Sequence, residues 1–179
     1  MCKLTKTYEV ILVGGGQAAA QTAFALRQRG FEGSIALISD EPVLPYQRPP
    51  LSKQFLRGEV ALQSLQLWPK AAYTQASIDT LLGTRVVQLL PGLRQIELDD
   101  GSRLGYGKLV LATGGKARRL TLPGAHLSGV EAVRTQQDIL RIRENWQAGQ
   151  RLVIIGGGYV GLEVAAVARD CGQTVTVLE

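Results

Sequence analysis

The chain has 179 residues, of which 45% are hydrophobic and 20% charged, and its formal net charge is +5. These values are typical of a soluble α/β protein with room for one domain and a piece of another. No apolar run approaches the roughly 20 residues that cross a bilayer, so no membrane association is expected. The basic residues lack the aromatic interleaving typical of a nucleic-acid site. The two cysteines, Cys2 and Cys171, fit a reducing, cytoplasmic compartment.

The first predicted element is a β-strand from Tyr8 to Val13, which leads into a glycine-rich turn and a helix. The turn reads Gly14-x-Gly16-x-x-Ala19. Its first glycine makes the tight turn, its second lets the backbone approach a pyrophosphate, and its third position lets the helix pack on the strand. Amide groups and the positive end of the helix dipole then face the phosphates. The pattern therefore predicts a dinucleotide site.

An acidic residue follows the second predicted strand, SIALISDE, at about the spacing that such a site requires. Asp40 is the first choice and Glu41 is the reserve. A carboxylate in this place accepts hydrogen bonds from both ribose hydroxyls of an adenosine. The alternative is that each acid is an ordinary charge at the end of a strand.

The segment after this strand, residues 41–53, contains four prolines and is predicted to be an extended, ordered loop. Ser52 is expected to cap a short helix through Phe55 and Leu56, which would place Lys53 in its first turn. A second short helix is predicted over residues 69–75.

A small antiparallel meander is predicted next. Its four strands are residues 79–82, 85–90, 94–98 and 103–106. A separate apolar strand over 109–112 then ends in Thr113 and Gly114, where small residues permit close approach to a ligand. Thr135 and Asp138 predict a capping box for a helix that runs through Trp146 to a stop at Gly149.

The second glycine-rich turn, Gly156-x-Gly158-x-x-Gly161, follows the predicted strand 152–155 and again opens a helix. The next strand, QTVTVLE, ends in Glu179. A carboxylate there would favour NAD over NADP because it repels a 2′-phosphate. Two such turns in the correct context indicate two dinucleotide-binding units.

Five segments together resemble the FAD-dependent NAD(P)H reductases of two-dinucleotide-fold type, in particular the ferredoxin, putidaredoxin and rubredoxin reductases of oxygenase systems. The segments are GGGQAAAQTAFALRQRGFEG, PYQRPPLSK, LVLATGG, VRTQQD and IIGGGYVGLEVAA. The resemblance implies a Rossmann-like FAD-binding α/β domain over 1–149, with a parallel sheet and a small meander. The first βαβ unit of an NAD-binding domain would occupy 150–179. Because the family continues beyond this point, we expect the 179-residue chain alone to show little activity.

The resemblance also implies which residues bind the two cofactors. Those expected at FAD are Gly14, Gly16, Ala18, Ala19, Asp40, Glu41, Arg48, Lys53, Val86, Thr113, Gly114 and Arg134. Those expected at NADH are Gly156, Gly158, Tyr159, Val160, Gly161 and Glu179. In the family a lysine beside the flavin pairs with a glutamate of the NAD domain, which makes Lys53 and Glu163 the candidate catalytic residues. A solvated lysine and an exposed first-turn acid remain the alternatives.

The implied activity is electron transfer from NADH through FAD to an iron–sulfur ferredoxin or a rubredoxin. Lys116, Arg118 and Arg119 form a basic cluster that is a candidate for contact with an acidic ferredoxin; the alternative is a solvated loop face. Residues 41–58 contain no cysteine, which argues against the disulfide reductase and peroxidase branches.

Two residues with possible chemistry are predicted to be structural. Cys171 is expected to be buried in a helix, and the single histidine, His126, has no companion that would make a metal site. Two other functions stay open. One is a monodehydroascorbate-reductase-like or apoptosis-inducing-factor-like NADH oxidoreductase; the other is a flavin- or nucleotide-binding module without turnover.

Overall fold

A computed structural model describes residues 4–179 and divides the chain into two compact units. The first unit combines the residues up to Tyr46 with Gln66–Gly114, and the second combines Gln47–Leu65 with Gly115–Glu179. Cys2 lies outside the described residues. None of the described helices has both the length and the apolar character that crossing a membrane requires. The domain boundary at 149/150 stays a prediction.

The first unit is built on a six-stranded sheet. Its elements are β1 (Leu4–Val13), α1 (Gln17–Gln28), β2 (Ile35–Ile38), α3 (Lys70–Gln75), β3 (Ile78–Leu81), β4 (Val86–Leu90), β5 (Gln95–Leu98) and β6 (Arg103–Leu111). The helix α2 (Gln54–Arg57) belongs to the second unit. The strand order is β3-β2-β1-β6-β5-β4. The first four strands in this order are parallel, and β6, β5 and β4 are antiparallel.

The register of the sheet brings the carboxyl ends of its central strands to one edge. Val13 of β1 is paired with Ile38 of β2 and with Leu111 of β6. Ligands of open α/β sheets bind beyond the carboxyl ends of the strands. The glycine-rich turn that follows Val13 therefore lies at the edge where a ligand is expected.

Apolar side chains cover both faces of the sheet. One face carries Val10, Leu12 and Leu37 and packs against the three buried alanines of α1, Ala19, Ala20 and Ala23. The other face carries Ile11, Ala36, Ile38 and Ile96. Strands buried on both faces read as continuous apolar runs, as β2 and the last four residues of β1 do. The small alanine side chains let α1 approach the sheet closely.

The predicted meander was wrong in two respects. First, β3 pairs in parallel with β2 rather than with the antiparallel strands, because α3 provides the crossover connection that a parallel pair needs. Second, the predicted strands 103–106 and 109–112 form the single strand β6. Its glycines allow close pairing with β1: a Cβ at Gly107 would lie 2.8 Å from the Glu9 carbonyl oxygen.

The core of the first unit contains one buried hydroxyl without a hydrogen-bond partner among residues 4–179, that of Tyr73. The side chain is 1% exposed and its ring meets Phe24 edge to face. Burial raises the pKa of Tyr73 to about 12. By contrast, the Tyr8 hydroxyl donates to Asp79 Oδ2 at 2.9 Å.

These two tyrosines give a matched test of hydrogen bonding in the full-length protein. We expect Tyr73→Phe to leave the free energy of unfolding unchanged or to raise it by up to about 1 kcal/mol, because it removes an unsatisfied buried hydroxyl. Tyr8→Phe should lower it by about 1 kcal/mol. Urea denaturation measures both. A larger loss for Tyr73→Phe than for Tyr8→Phe would contradict this interpretation.

The second unit contains a second strand–helix–strand element. Its helices and strands are α2 (Gln54–Arg57), α4 (Gln136–Glu144), β7 (Arg151–Ile155), α5 (Tyr159–Asp170) and β8 (Thr174–Leu178). β7 and β8 are parallel, in register from Arg151 with Thr174 to Ile155 with Leu178. The two strands therefore end at the same edge, where the second glycine-rich turn lies.

The capping box of α4 is confirmed, but the predicted end of the helix was wrong. The Thr135 hydroxyl accepts from the Asp138 amide, and the Asp138 carboxylate accepts from the Thr135 amide at 2.7 Å. The helix ends at Glu144 rather than at Trp146. The Trp146 amide instead donates to the Arg143 carbonyl, a three-residue spacing that tightens the chain after the last α-helical turn.

Candidate functional site

The first glycine-rich turn joins β1 to α1 in the first unit. Gly14 has φ +137°, a value that favours glycine, and a Cβ there would lie 2.1 Å from the Ala112 carbonyl oxygen. Its amide donates to the Ile38 carbonyl at 2.8 Å. The turn can therefore lie against the ends of β2 and β6 only because residue 14 has no side chain.

The second glycine of the turn faces open space. Gly16 is the N-cap residue of α1, and a Cβ there would meet open space beyond the residue's own chain neighbours, among residues 4–179. No side chain caps the helix and no acid lies in its first turn. First-turn amides of a helix have no intrahelical acceptor, so this end suits an anion. Ala18 is exposed here, whereas Ala19 is fully buried against the sheet.

The two candidate ribose acids have different surroundings. The Asp40 side chain is 50% exposed, and its Oδ2 lies 3.2 Å from Nη2 of Arg85. The Glu41 carboxylate accepts a hydrogen bond from the Tyr46 hydroxyl at 2.7 Å. Because Glu41 is tied to a buried tyrosine, Asp40 offers the more accessible carboxylate.

Backbone hydrogen bonds bring two further predicted segments to the same edge. The amide of Thr84 donates to the Ser39 carbonyl at 2.8 Å, which holds the start of β4, and hence Val86, near Asp40. The Ala112 amide donates to the Val13 carbonyl at 2.8 Å. Thr113 and Gly114, both exposed, follow directly after this bond. The first unit thus gathers its nine predicted FAD residues around one edge of the sheet.

The second glycine-rich turn repeats this geometry in the second unit. Gly156 has φ +109° and donates its amide to the Leu178 carbonyl at 2.7 Å. Gly158 is the N-cap of α5, and a Cβ there would meet open space beyond its own chain neighbours in the described part of the chain. A Cβ at Gly161 would lie 2.2 Å from the Gly156 carbonyl oxygen. The third glycine therefore permits close packing of the helix on the turn.

Three other predicted residues surround this turn. The Glu179 carboxylate accepts a hydrogen bond from the Gly157 amide, which places it at the turn. Tyr159 is 91% exposed and Val160 is also exposed, both in the first turn of α5. Their side chains are therefore accessible to a ligand bound at this helix end.

The predicted pair Lys53 and Glu163 is in contact in the second unit. Lys53 Nζ lies 2.8 Å from Glu163 Oε1. The other carboxylate oxygen, Oε2, accepts a hydrogen bond from the Ser52 hydroxyl at 2.6 Å. The Lys53 ammonium, and to a smaller extent the Ser52 hydroxyl, hold the pKa of Glu163 below its usual value. The carboxylate therefore stays ionised to a lower pH than an ordinary glutamate does.

The helix-cap prediction for Ser52 was wrong. Ser52 ends a 3-10 turn, Pro49–Ser52, and the N-cap residue of α2 is Lys53 itself, without a side-chain cap. Lys53 thus precedes the first turn that was expected to hold it. The Ser52 hydroxyl is used for the hydrogen bond to Glu163 instead of for α2, and no local sequence signal indicates a partner 111 residues away.

Arg48 and Arg134 are brought together in the second unit. Arg48 Nη1 donates to the Arg134 carbonyl at 2.9 Å, and Arg134 Nε donates to the Gly115 carbonyl at 3.1 Å. The Arg134 amide donates to Asp138 in the capping box of α4. These bonds link the proline-rich loop to the segments before α4.

The remaining residues with possible chemistry show no metal site among residues 4–179. His126 is exposed. Cys171 is the C-cap residue of α5 and is only half-buried, so the expectation of a buried residue within the helix was wrong. Its position after the last helical turn explains the exposure. Lys116, Arg118 and Arg119 are all exposed.

Comparison with known proteins gives relatives along nearly the whole chain. A ferredoxin–NAD(P)(+) reductase from Sphingomonas sp. is 45% identical over 172 residues, which are 96% of this chain and 42% of that protein. A rubredoxin–NAD(+) reductase from Pseudomonas putida is 44% identical over 170 residues, 95% of this chain and 44% of that protein. The chain thus spans less than half the length of these relatives.

Solved structures agree with the sequence relatives. The reductase in a covalent putidaredoxin reductase–putidaredoxin complex shares 42% identity and a TM-score of 0.88, covering 99% of this chain and 43% of that chain. The ferredoxin reductase for the CYP199A2 system from Rhodopseudomonas palustris shares 39% identity and a TM-score of 0.89, covering 94% and 42%. The sequence pattern of the pyridine nucleotide-disulphide oxidoreductases matches residues 8–179. This chain therefore belongs to the pyridine nucleotide-disulphide oxidoreductase family.

Proposed function

We propose that this chain supplies the FAD-binding region, and the beginning of the NAD-binding region, of a reductase that passes electrons from NADH to a ferredoxin or rubredoxin. One observation carries the proposal. Each of the two units has a glycine-rich turn whose second glycine leaves open space at the N-terminus of a 12-residue helix. Such a cradle fits a pyrophosphate.

The residues of the first unit fit FAD. The amides at the start of α1 would hold its pyrophosphate over Gly16, which has no Cβ to block the approach. Asp40 would accept hydrogen bonds from the adenosine ribose, because its carboxylate is exposed. Val86 would meet the adenine through its backbone. FAD, when bound, accepts two electrons from NADH and releases them singly to a one-electron carrier.

The Lys53–Glu163 pair supports a role in electron transfer. A lysine ammonium near the reactive part of a flavin stabilises the negative charge that develops on reduction. Glu163 holds this ammonium in one place through a contact of 2.8 Å. In this proposal Lys53 supplies the charge and Glu163 fixes its position. Arg134 would meet the outer face of the cofactor, and Arg48, like Lys53, is a proposed cofactor contact from the proline-rich loop.

The second unit would bind NADH. The amides at the start of α5 would receive its pyrophosphate, and Tyr159 and Val160 lie exposed beside them. Glu179 would accept hydrogen bonds from the adenosine ribose and disfavour a 2′-phosphate. The domains proposed are residues 1–149 for FAD and 150–179 for the beginning of the NAD-binding part.

The proposed electron acceptor is a small iron–sulfur ferredoxin or a rubredoxin in the cytoplasm. Relatives are named as reductases of these carriers, including a subunit of a benzene 1,2-dioxygenase system from Pseudomonas putida. The exposed Lys116, Arg118 and Arg119 would attract an acidic carrier.

The test is the absorbance spectrum of the purified full-length protein before and after NADH, with and without ferredoxins and rubredoxin. We expect flavin bands that bleach with NADH and reduction of one of these carriers. We expect the 179-residue chain alone to show little NADH-dependent dye reduction. Bleaching without reduction of any carrier would favour the other NADH oxidoreductases, and no flavin bands would contradict the proposal.

A further inference from the structure

The Ser52 hydroxyl has a partner that its place in the chain does not explain. Ser52 is 5% exposed at the end of the Pro49–Ser52 turn, next to α2, which it does not cap. Its hydroxyl donates instead to Oε2 of Glu163 in α5. A buried hydroxyl is expected to be hydrogen-bonded, and here the acceptor is the carboxylate whose other oxygen binds Lys53.

Consecutive residues therefore clamp both oxygens of one carboxylate. Ser52 holds Oε2 at 2.6 Å, and Lys53 holds Oε1 at 2.8 Å. A carboxylate bound at a single oxygen can rotate about its last side-chain bond and move its charge. Bound at both, it has one orientation. The Lys53 ammonium is then fixed between this carboxylate and the Pro49 carbonyl, which lies 3.5 Å from Nζ.

We propose that Ser52 is a positioning residue that orients the Glu163 carboxylate, and through it the Lys53 ammonium, for electron transfer. This inference rests on the proposed function, because that function gives Lys53 its place beside the flavin. Ser52 contacts neither the flavin nor the carrier in this role; it acts through Glu163.

The charges around Glu163 allow its titration to report on Ser52. Lys53 faces it directly. Arg57 of the same segment, residues 49–57, pairs with Asp170 of α5 and, at 3.6 Å, with Glu59. Glu163 has a depressed pKa in the folded protein. Its ion pair is therefore present above the usual glutamate pKa and is lost as the pH falls through the depressed value. Removal of the Ser52 donor should move this loss to higher pH.

Three substitutions separate the hydrogen bond from packing. Ser52→Ala removes the hydroxyl, Ser52→Cys keeps the size but gives a weak donor, and Ser52→Thr keeps the hydroxyl but adds a methyl group. If the hydrogen bond matters, Cys should behave like Ala, and Thr like the native serine. If packing alone matters, Ser52→Cys should behave like the native serine and Ser52→Thr should be impaired.

The matched control is Asp170→Asn, which breaks the second ion pair between the same segment and the same helix, Arg57 with Asp170. It loosens the contact without touching the Glu163 carboxylate. A general loss of docking would therefore affect this variant as much as Ser52→Ala.

The experiment uses the full-length protein and two readouts. The first is the titration of Glu163 by NMR of ¹³C-labelled glutamate side chains, assigned with Glu163→Gln. The second is the rate of flavin reduction by NADH in a stopped-flow instrument. We expect Ser52→Ala and Ser52→Cys to move the Glu163 midpoint to higher pH and to slow flavin reduction about fivefold. Ser52→Thr and Asp170→Asn should do neither.

An unchanged Glu163 midpoint in Ser52→Ala, or equal slowing in Asp170→Asn, would overturn the positioning role. These failures are distinct from failure of the proposed function. If the full-length protein shows no flavin, the proposed function fails, and the NMR titration still reports whether Ser52 orients the carboxylate.

Discussion

Full-length protein carrying Gly16→Val is expected to fold and to be purified without FAD. The backbone at Gly16 is extended, with φ −99° and ψ −176°, and a Cβ there would meet open space beyond its chain neighbours within residues 4–179. A valine therefore fits the protein but fills the space proposed for the pyrophosphate. We expect FAD affinity to fall at least about 100-fold, or about 2.7 kcal/mol. The loss of stability should be only about 1 kcal/mol.

Absorbance at the flavin bands relative to the protein band measures the bound FAD, and circular dichroism measures the fold. The matched control is Gly92→Val, because a Cβ at Gly92 also meets open space but lies in the turn between β4 and β5. Gly92→Val should keep its FAD. Native FAD content in Gly16→Val would remove the pyrophosphate site from this turn.

Gly14 makes a useful contrast within the same turn. Its φ is positive, and a side chain of any size would place its Cβ 2.1 Å from the Ala112 carbonyl oxygen, so the chain after β6 would have to move away. Gly14→Ala should therefore impair folding as well as FAD binding. The two glycines serve different purposes: Gly14 permits the turn and Gly16 permits the ligand.

Lys53→Ala is expected to slow flavin reduction by NADH at least about tenfold while FAD remains bound. The substitution removes the positive charge that Glu163 holds at 2.8 Å, but it leaves unchanged the glycine-rich turn and Asp40, the proposed contacts of the pyrophosphate and the ribose. Stopped-flow bleaching of the flavin at saturating NADH measures the rate, and the absorbance spectrum checks that FAD is retained.

Lys70→Ala is the control for the lost charge, because Lys70 is an exposed lysine at the start of α3. It should reduce flavin at the native rate. If Lys53→Ala does so too, Lys53 is a solvated surface residue and the Lys53–Glu163 pair only joins α2 to α5.

Local signals in the sequence predicted the two glycine-rich turns well. Gly14 and Gly156 are needed for their positive φ, and Gly161 is needed because a Cβ there would meet the carbonyl of Gly156, five residues earlier. The spacing of the motif encodes these local requirements. The capping box of α4 is local for the same reason. Pairing of strands is not local. The sequence of β3 does not indicate whether this strand pairs with β2 or with β4. The glycines of β6 look like interruptions of a strand in the sequence, and only the pairing with β1 explains them.

The residues of the candidate site also differ in whether local sequence signals predict their contacts. The proline-rich loop and the second helix contain no pattern that pairs Lys53 with Glu163, and only resemblance to a family suggested it. Ser52 was assigned to the nearest helix, since a serine before a short helix is a common cap. Its actual partner, Glu163, is distant in sequence. Arg85, which contacts Asp40, is also distant from it in sequence and was not predicted as its partner.

The central place of β1 has a consequence for synthesis of the chain. One of the two neighbours of β1, the strand β6, is synthesised almost a hundred residues after it, with Tyr8 paired to Tyr106. Until Arg103–Leu111 emerges, the nascent chain carries an apolar strand with one unpaired edge. Such an edge is a template for aggregation. We therefore expect that protecting β1 during that interval, by chaperones or by slower translation, raises the yield of folded protein.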